Sequence, residues 1–240
     1  KLAKRPAART RFVMHFTPRS GSSWLTDLAE QTGRLGKPGE CFNPNFLPRM
    51  AARLDAANMD EFVEVMAHHW NRGDVFGCQL THYHMRRCFG GPEAFMKYFA
   101  DVPCFWLIRE DIVLQAVSLM KMVQTKVKHS VLADADARAA ADAAFGYDAE
   151  RIAHYVTHIF EAEQGSEALF ARYDLSPLRL SYEHNITMGA DQMVNVIAHH
   201  IGVPPIPAGT VQSGHQRLGT DRNAEFADRF RAEKADMLAR

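Results

Sequence analysis

Apolar residues fall into two alternating patterns along the chain. Four short runs, at 12–16, 75–80, 103–108 and 177–182, are apolar almost throughout. Runs of that length without polar alternation read as strands buried on both faces. Between them lie longer stretches with helical spacing, at about 45–72, 91–100, 111–130, 148–173 and 189–202, and a last one begins near Arg222. Strands that alternate with helices predict βαβ units, hence an α/β fold: a single domain with a mostly parallel central sheet flanked by helices. Gly202-Val203-Pro204-Pro205-Ile206-Pro207 stops one helix and opens an irregular connection. The Ala/Asp-rich stretch 132–144 reads as a surface helix or a lid. Ligands of such sheets bind beyond the carboxyl ends of the strands, which is where Arg19, His82, Arg109 and Glu183 fall.

Charge changes this picture little. The 240 residues hold 28 Lys and Arg against 28 Asp and Glu, so global electrostatics give no reason to expect a nucleic-acid or membrane partner. Lys1, Lys4, Arg5 and Arg9 make 1–10 a basic flexible tail ahead of a domain over 11–240. No apolar run approaches the length that spans a bilayer, and the first residues lack the apolar core of a secretory signal. Cys41, Cys78, Cys88 and Cys104 are too scattered for a disulfide framework. A cytoplasmic protein with reduced thiols is the expectation.

The chemistry concentrates where the first strand breaks, at Pro18-Arg19-Ser20-Gly21-Ser22-Ser23-Trp24. A strand–turn–helix unit aims free N–H groups and a favourable helix dipole at an anion. Gly21 lets the backbone approach closely, the three serines add hydroxyl donors, and Arg19 adds a planar fork for phosphate or sulfate oxygens. The spacing fits neither GxxxxGK[ST] nor GxGxxG, so the common NTPase and dinucleotide sites are excluded.

This loop resembles the 5′-phosphosulfate loop of sulfotransferases that use PAPS (3′-phosphoadenosine 5′-phosphosulfate), with Arg19 where those loops often carry lysine. Further blocks, in order along the chain, resemble the bacterial trehalose 2-sulfotransferase and lipopolysaccharide sulfotransferase-like family. They are Thr32-Gly33 with Lys37-Pro38-Gly39-Glu40-Cys41-Phe42, Arg109-Glu110-Asp111 with Gln115-Ala116-Val117-Ser118, Pro177 to Glu183, and the Arg217…Asp221…Arg229-Phe230-Arg231 tail. The resemblance implies a P-loop-like sulfotransferase fold, a PAPS co-substrate with PAP as product, a small-molecule or glycan acceptor, no metal, and a homodimer. It implies that Ser20, Gly21, Ser22 and Ser23 hold the phosphosulfate and that Arg109 and Ser118 hold the 3′-phosphate, covered by the Arg217 loop. Trp24 and Tyr182 match positions that lie against adenine, and Glu40 matches the catalytic glutamate. Arg19 cannot lose its proton, so its role is to stabilise charge on the leaving phosphate.

Two departures bear on the acceptor. Cys78-Gln79-Leu80 stands where the family commonly has Val-Lys-Leu, and Gln124-Thr125-Lys126-Val127-Lys128 lacks the tryptophan that commonly follows Gln-Thr. Both point away from trehalose itself. Phe42, His82 and His84 are placed with Glu40 in the acceptor pocket. The C-x3-H-x-H-x3-C array of Cys78, His82, His84 and Cys88 is weighed as a zinc site, but it is tight, lacks a C-x2-C knuckle and starts in a buried strand. Two other readings stay open: a nucleotide-dependent kinase, which lacks its GK[ST], and a sulfotransferase-like protein that binds PAP or PAPS without catalysis.

Overall fold

Residues 6–127, 135–212 and 219–239 are described by the structure, a computed structural model. The four apolar runs form β1 (Thr10–Phe16), β2 (Val75–Leu80), β3 (Cys104–Ile108) and β4 (Leu178–Ser181), paired in parallel in the order β2-β1-β3-β4. β1 is an inner strand, paired on both sides, and its last five residues are buried. Its Phe12 ring crosses to Gly77, where a Cβ would lie 2.3 Å from Phe12 Cζ. Only glycine lets the ring pack there.

One face of the sheet is covered by α1 (Ser22–Gln31) and α10 (Ala190–His200), which meet Phe12, Met14, Phe16, Phe105 and Leu107. The other face is covered by α2 (Leu47–Leu54), α3 (Met59–His69), α4 (His82–Phe89), α5 (Pro92–Phe99) and the end of α8 (Ala149–Arg172). A third cluster joins α6 (Ile112–Thr125), the start of α8 and α11 (Asp221–Glu233). The 24-residue α8 thus runs between two cores. The small elements α7 (Ala135–Ala144), α9 (Tyr182–Asn185) and α12 (Ala235–Leu238) complete the order.

The expected single-domain α/β architecture is observed, with three local differences. The stretch 45–72 is two helices, because Asp55 turns left-handed at φ 58° and Asn58 caps α3 through Glu61 N. The sequence reading gave 82–89 no helix, yet Thr81 caps α4 and Met85 and Phe89 bury one face of it. Residues 8–10 are not loose: Ala8 is buried and donates to Ala67 O, Arg9 pairs with Asp74, and β1 begins at Thr10. Residues 1–5 lie outside the described residues. Among the described residues, no helix is long and apolar enough to cross a membrane.

Candidate active site

β1 delivers the chain into a turn, 17–21, whose backbone is unusual twice over. Arg19 takes φ 72° and Gly21 takes φ 87°. A left-handed residue other than glycine costs about 1 kcal/mol or more and persists only where its surroundings hold it. Gln115 of α6 supplies part of that hold: its amide donates to Pro18 O at 2.8 Å and to Thr17 Oγ1 at 2.9 Å. The Ser20 hydroxyl turns back to Thr17 O at 2.8 Å, so Ser20 shapes the turn with its side chain and leaves only its N–H to offer. No side chain caps α1, whose N-cap is Gly21. The first N–H groups of such a helix lack helical acceptors and face outward. Ser22 is buried and Ser23 half-buried in its first turn.

Two guanidinium groups converge on this turn. Arg19 Nε donates to Ser118 Oγ of α6 at 3.1 Å, which links the turn to the helix expected to hold the 3′-phosphate. Arg109, buried at the end of β3, lies 3.5 Å from Glu183 Oε1 and stacks 4.7 Å over the Tyr182 ring. Glu183 is itself fixed by Glu110 N at 3.0 Å. Burial and the neighbouring charge of Arg109 both push the Arg19 pKa below its ordinary value. Tyr182 also covers Gly21, where a Cβ would come within 3.1 Å of its ring. Trp24 is partly buried against the α1–α10 core. Arg217 lies outside the described residues.

Glu40 reaches the same rim from the other edge of the sheet. Gly39 bridges to Cys78 as an extra rung beside β2, with Gln79 N bonding Gly39 O at 2.9 Å. Thr26 of α1 holds Pro38 O at 2.7 Å. Half-buried Glu40 accepts from Asn43 Nδ2 at 2.8 Å. Phe42 is a correction: it is fully buried against Phe62, Phe89 and Phe99 and anchors this loop to the core without facing an acceptor. Gln79 is another. It is buried and its amide donates to Ser22 O and Thr26 Oγ1 at 3.0 and 2.7 Å, so this departure ties α1 to β2 and does not bear on the acceptor.

His82 and His84 open α4 at the tip of β2 and are half-buried. Burial lowers both pKa values, that of His84 to about 4. The zinc array does not converge: Cys78 is in the core and Cys88 Sγ bonds Phe42 O. Beyond Ser118 a cavity of about 240 Å³ is lined by Arg19, Lys121, Thr125, Val127, Arg138 and Thr220. Asp142 of α7 ties two of these lining residues together, accepting from Lys121 Nζ at 2.5 Å and from Thr220 Oγ1 at 2.7 Å. Two participants escaped the sequence reading. Gln115 lies in the Gln115-Ala116-Val117-Ser118 run with nothing local to mark its contact with Thr17, and Glu163, 3.3 Å from Thr17 Oγ1, looks in sequence like any carboxylate on a long helix.

With this geometry in view, comparisons with known proteins give three findings. Residues 91–233 match the family model described as Stf0 sulphotransferase. The trehalose 2-sulfotransferase of Mycobacterium tuberculosis (strain ATCC 35801 / TMC 107 / Erdman) is 30% identical over 265 residues, covering 92% of this chain and 94% of that protein. Among solved structures, a sulfotransferase from Alicyclobacillus acidocaldarius aligns over 94% of this chain and 95% of its own, at 16% identity and a TM-score of 0.49.

Proposed function

The chain belongs to the Stf0 sulphotransferase family, and from that premise we propose that it moves a sulfuryl group from PAPS to a hydroxyl of a carbohydrate, glycolipid or small-metabolite acceptor. The observation that carries the donor reading is the convergence of Arg19 and Arg109 beside the uncapped α1. Like charges held together out of water are stabilised by an anion between them. The name of the mycobacterial relative supports a sugar hydroxyl as acceptor. We read the fold from Ala8 onward as the sulfotransferase domain of a cytoplasmic, homodimeric enzyme.

In this reading the acceptor oxygen bonds to sulfur as sulfur's bond to the bridging phosphate oxygen breaks, and PAP leaves. Glu40 takes the hydroxyl proton, which is most acidic late in the transfer. Arg19 and the turn amides hold the charge that develops on the bridging oxygen, an electrostatic role for groups fixed before reaction. Arg109 and Ser118 hold the 3′-phosphate, and Tyr182 and Trp24 flank the adenine. His82 and His84 border the acceptor.

Calorimetric titration with PAP, beside ATP with and without magnesium, tests the donor. Micromolar PAP binding, weakened tenfold or more by Arg109→Ala, is expected. Magnesium-dependent ATP binding with none of PAP by folded protein would replace this reading with a kinase. Glu40→Gln is expected to keep PAP affinity and to lose at least a hundredfold in turnover in an acceptor screen with labelled PAPS. Full turnover in that variant removes Glu40 from the mechanism.

A further inference from the structure

We infer that Glu163 is a positioning residue for the reaction, holding the 17–21 turn in its left-handed shape through Thr17. This rests on reading that turn as the donor cradle. The hydroxyl of Thr17 receives the Gln115 amide at 2.9 Å, so its own hydrogen is directed elsewhere, and Glu163 Oε1 takes it at 3.3 Å. Thr17 O accepts from Ser20, and Pro18 O accepts from Gln115. Every carbonyl and hydroxyl of 17–18 is thereby engaged on the protein side. Neither carbonyl of 17–18 is left to repel an anion that approaches the turn. Arg19, at φ 72°, immediately follows this clamp, and a strained residue needs one.

The clamp is titratable. Burial, with Glu167 one turn along α8, raises the Glu163 pKa to about 7, against the opposing pulls of Thr17 and of Arg179 on β4. Gln115 faces it from α6 without charge, and His82 of α4 packs against Gly165 of the same helix. The charged carboxylate accepts the Thr17 hydroxyl more strongly than the neutral acid does. The bond from Thr17 is therefore stronger above pH 7 than below it, although the charged carboxylate is the form that burial disfavours.

PAP affinity and thermal unfolding of wild type, E163Q and T17V between pH 6 and 8.5 test this. Wild type is expected to bind PAP about fivefold more tightly at pH 8.5 than at pH 6. E163Q is expected to lose that difference and keep the weaker affinity. T17V, which also takes away the acceptor of the Gln115 amide, is expected to bind PAP no more tightly than E163Q, and adding E163Q to T17V changes nothing further. A merely structural Glu163 would shift the unfolding temperature and leave the pH slope of PAP affinity in place, and that outcome overturns the inference. T17V breaks the same bond from its other end, so the test stands even where E163Q folds poorly. Failure of folded wild type to bind PAP at any pH overturns the donor reading and this inference with it, whereas equal slopes in wild type and E163Q overturn the inference alone.

Discussion

Glycine at position 165 is what allows His82 to lie flat against α8. A Cβ there would sit 2.5 Å from His82 Cε1 and Nδ1, so the half-buried ring would have to move. Gly165→Ala is expected to push His82 off its seat at a cost of about 1–3 kcal/mol, with PAP affinity unchanged and acceptor turnover reduced. Denaturant melts and PAP titration measure the two halves of that statement. Gln79 acts similarly inside the fold: Gln79→Leu keeps the volume but leaves Ser22 O and Thr26 without the amide. Thr26 Oγ1 keeps its bonds to Ser22 O and Pro38 O, so a loss of about 1 kcal/mol follows from the two amide bonds removed, and a stability equal to wild type would show that these bonds contribute nothing net. The sequence marked Gln79 as a departure from the family, but only its neighbours reveal that it is structural. Its side chain points to α1, and no local pattern encodes that direction.

At the scale of elements, α6 carries the site. Gln115, Ser118 and Lys121 follow at three-residue steps, which puts them along one face where they meet the turn, Arg19 and Asp142 in succession. Asp111 starts the helix by accepting Leu114 N at 2.9 Å, and Arg231 of α11 reaches both its oxygens at 2.7 and 2.8 Å. Asp111→Ala removes a cap worth about 1 kcal/mol and an inter-helix tie, so a lower unfolding temperature and weaker PAP binding are expected together. Unfolding that drops with PAP affinity intact would show that α6 keeps its place without the cap. The Arg109-Glu110-Asp111 block was legible as a motif, whereas its division of labour was not: Arg109 pairs with Glu183 and stacks on Tyr182, and Asp111 faces α11. Helix α4 was missed because a run of His, Tyr and Arg masks the Met85–Phe89 pair that buries it.

Across the whole molecule, burial of titratable groups ties stability to pH. His15 sits inside the sheet against Phe95 and Phe170, and burial with the nearby His82 lowers its pKa to about 3. Below its unfolded value of 6.5 the unfolded chain takes up a proton that the folded one refuses, so stability is present above 6.5 and is lost as pH falls toward 3. His84, lowered to about 4, acts in the same sense. Glu163, raised from 4.5 to about 7, opposes them: its contribution is full below 4.5 and is lost as pH rises through 7. The two histidines outweigh the one carboxylate, so urea denaturation is expected to show stability falling between pH 6.5 and 4.5, with His15→Phe flattening the slope. An unchanged slope in that variant would move the effect elsewhere. The strands, the α/β class, the break into a turn after β1 and the order of the family blocks were legible in the sequence, because hydrophobic period and local turn chemistry act between near neighbours. Tertiary structure alone decided that Arg19 meets Ser118, that Phe42 belongs to the core, and that Glu163 reaches Thr17 across 146 residues. Those relations depend on which helix face is buried against which strand tip, and that is set by packing of the whole chain.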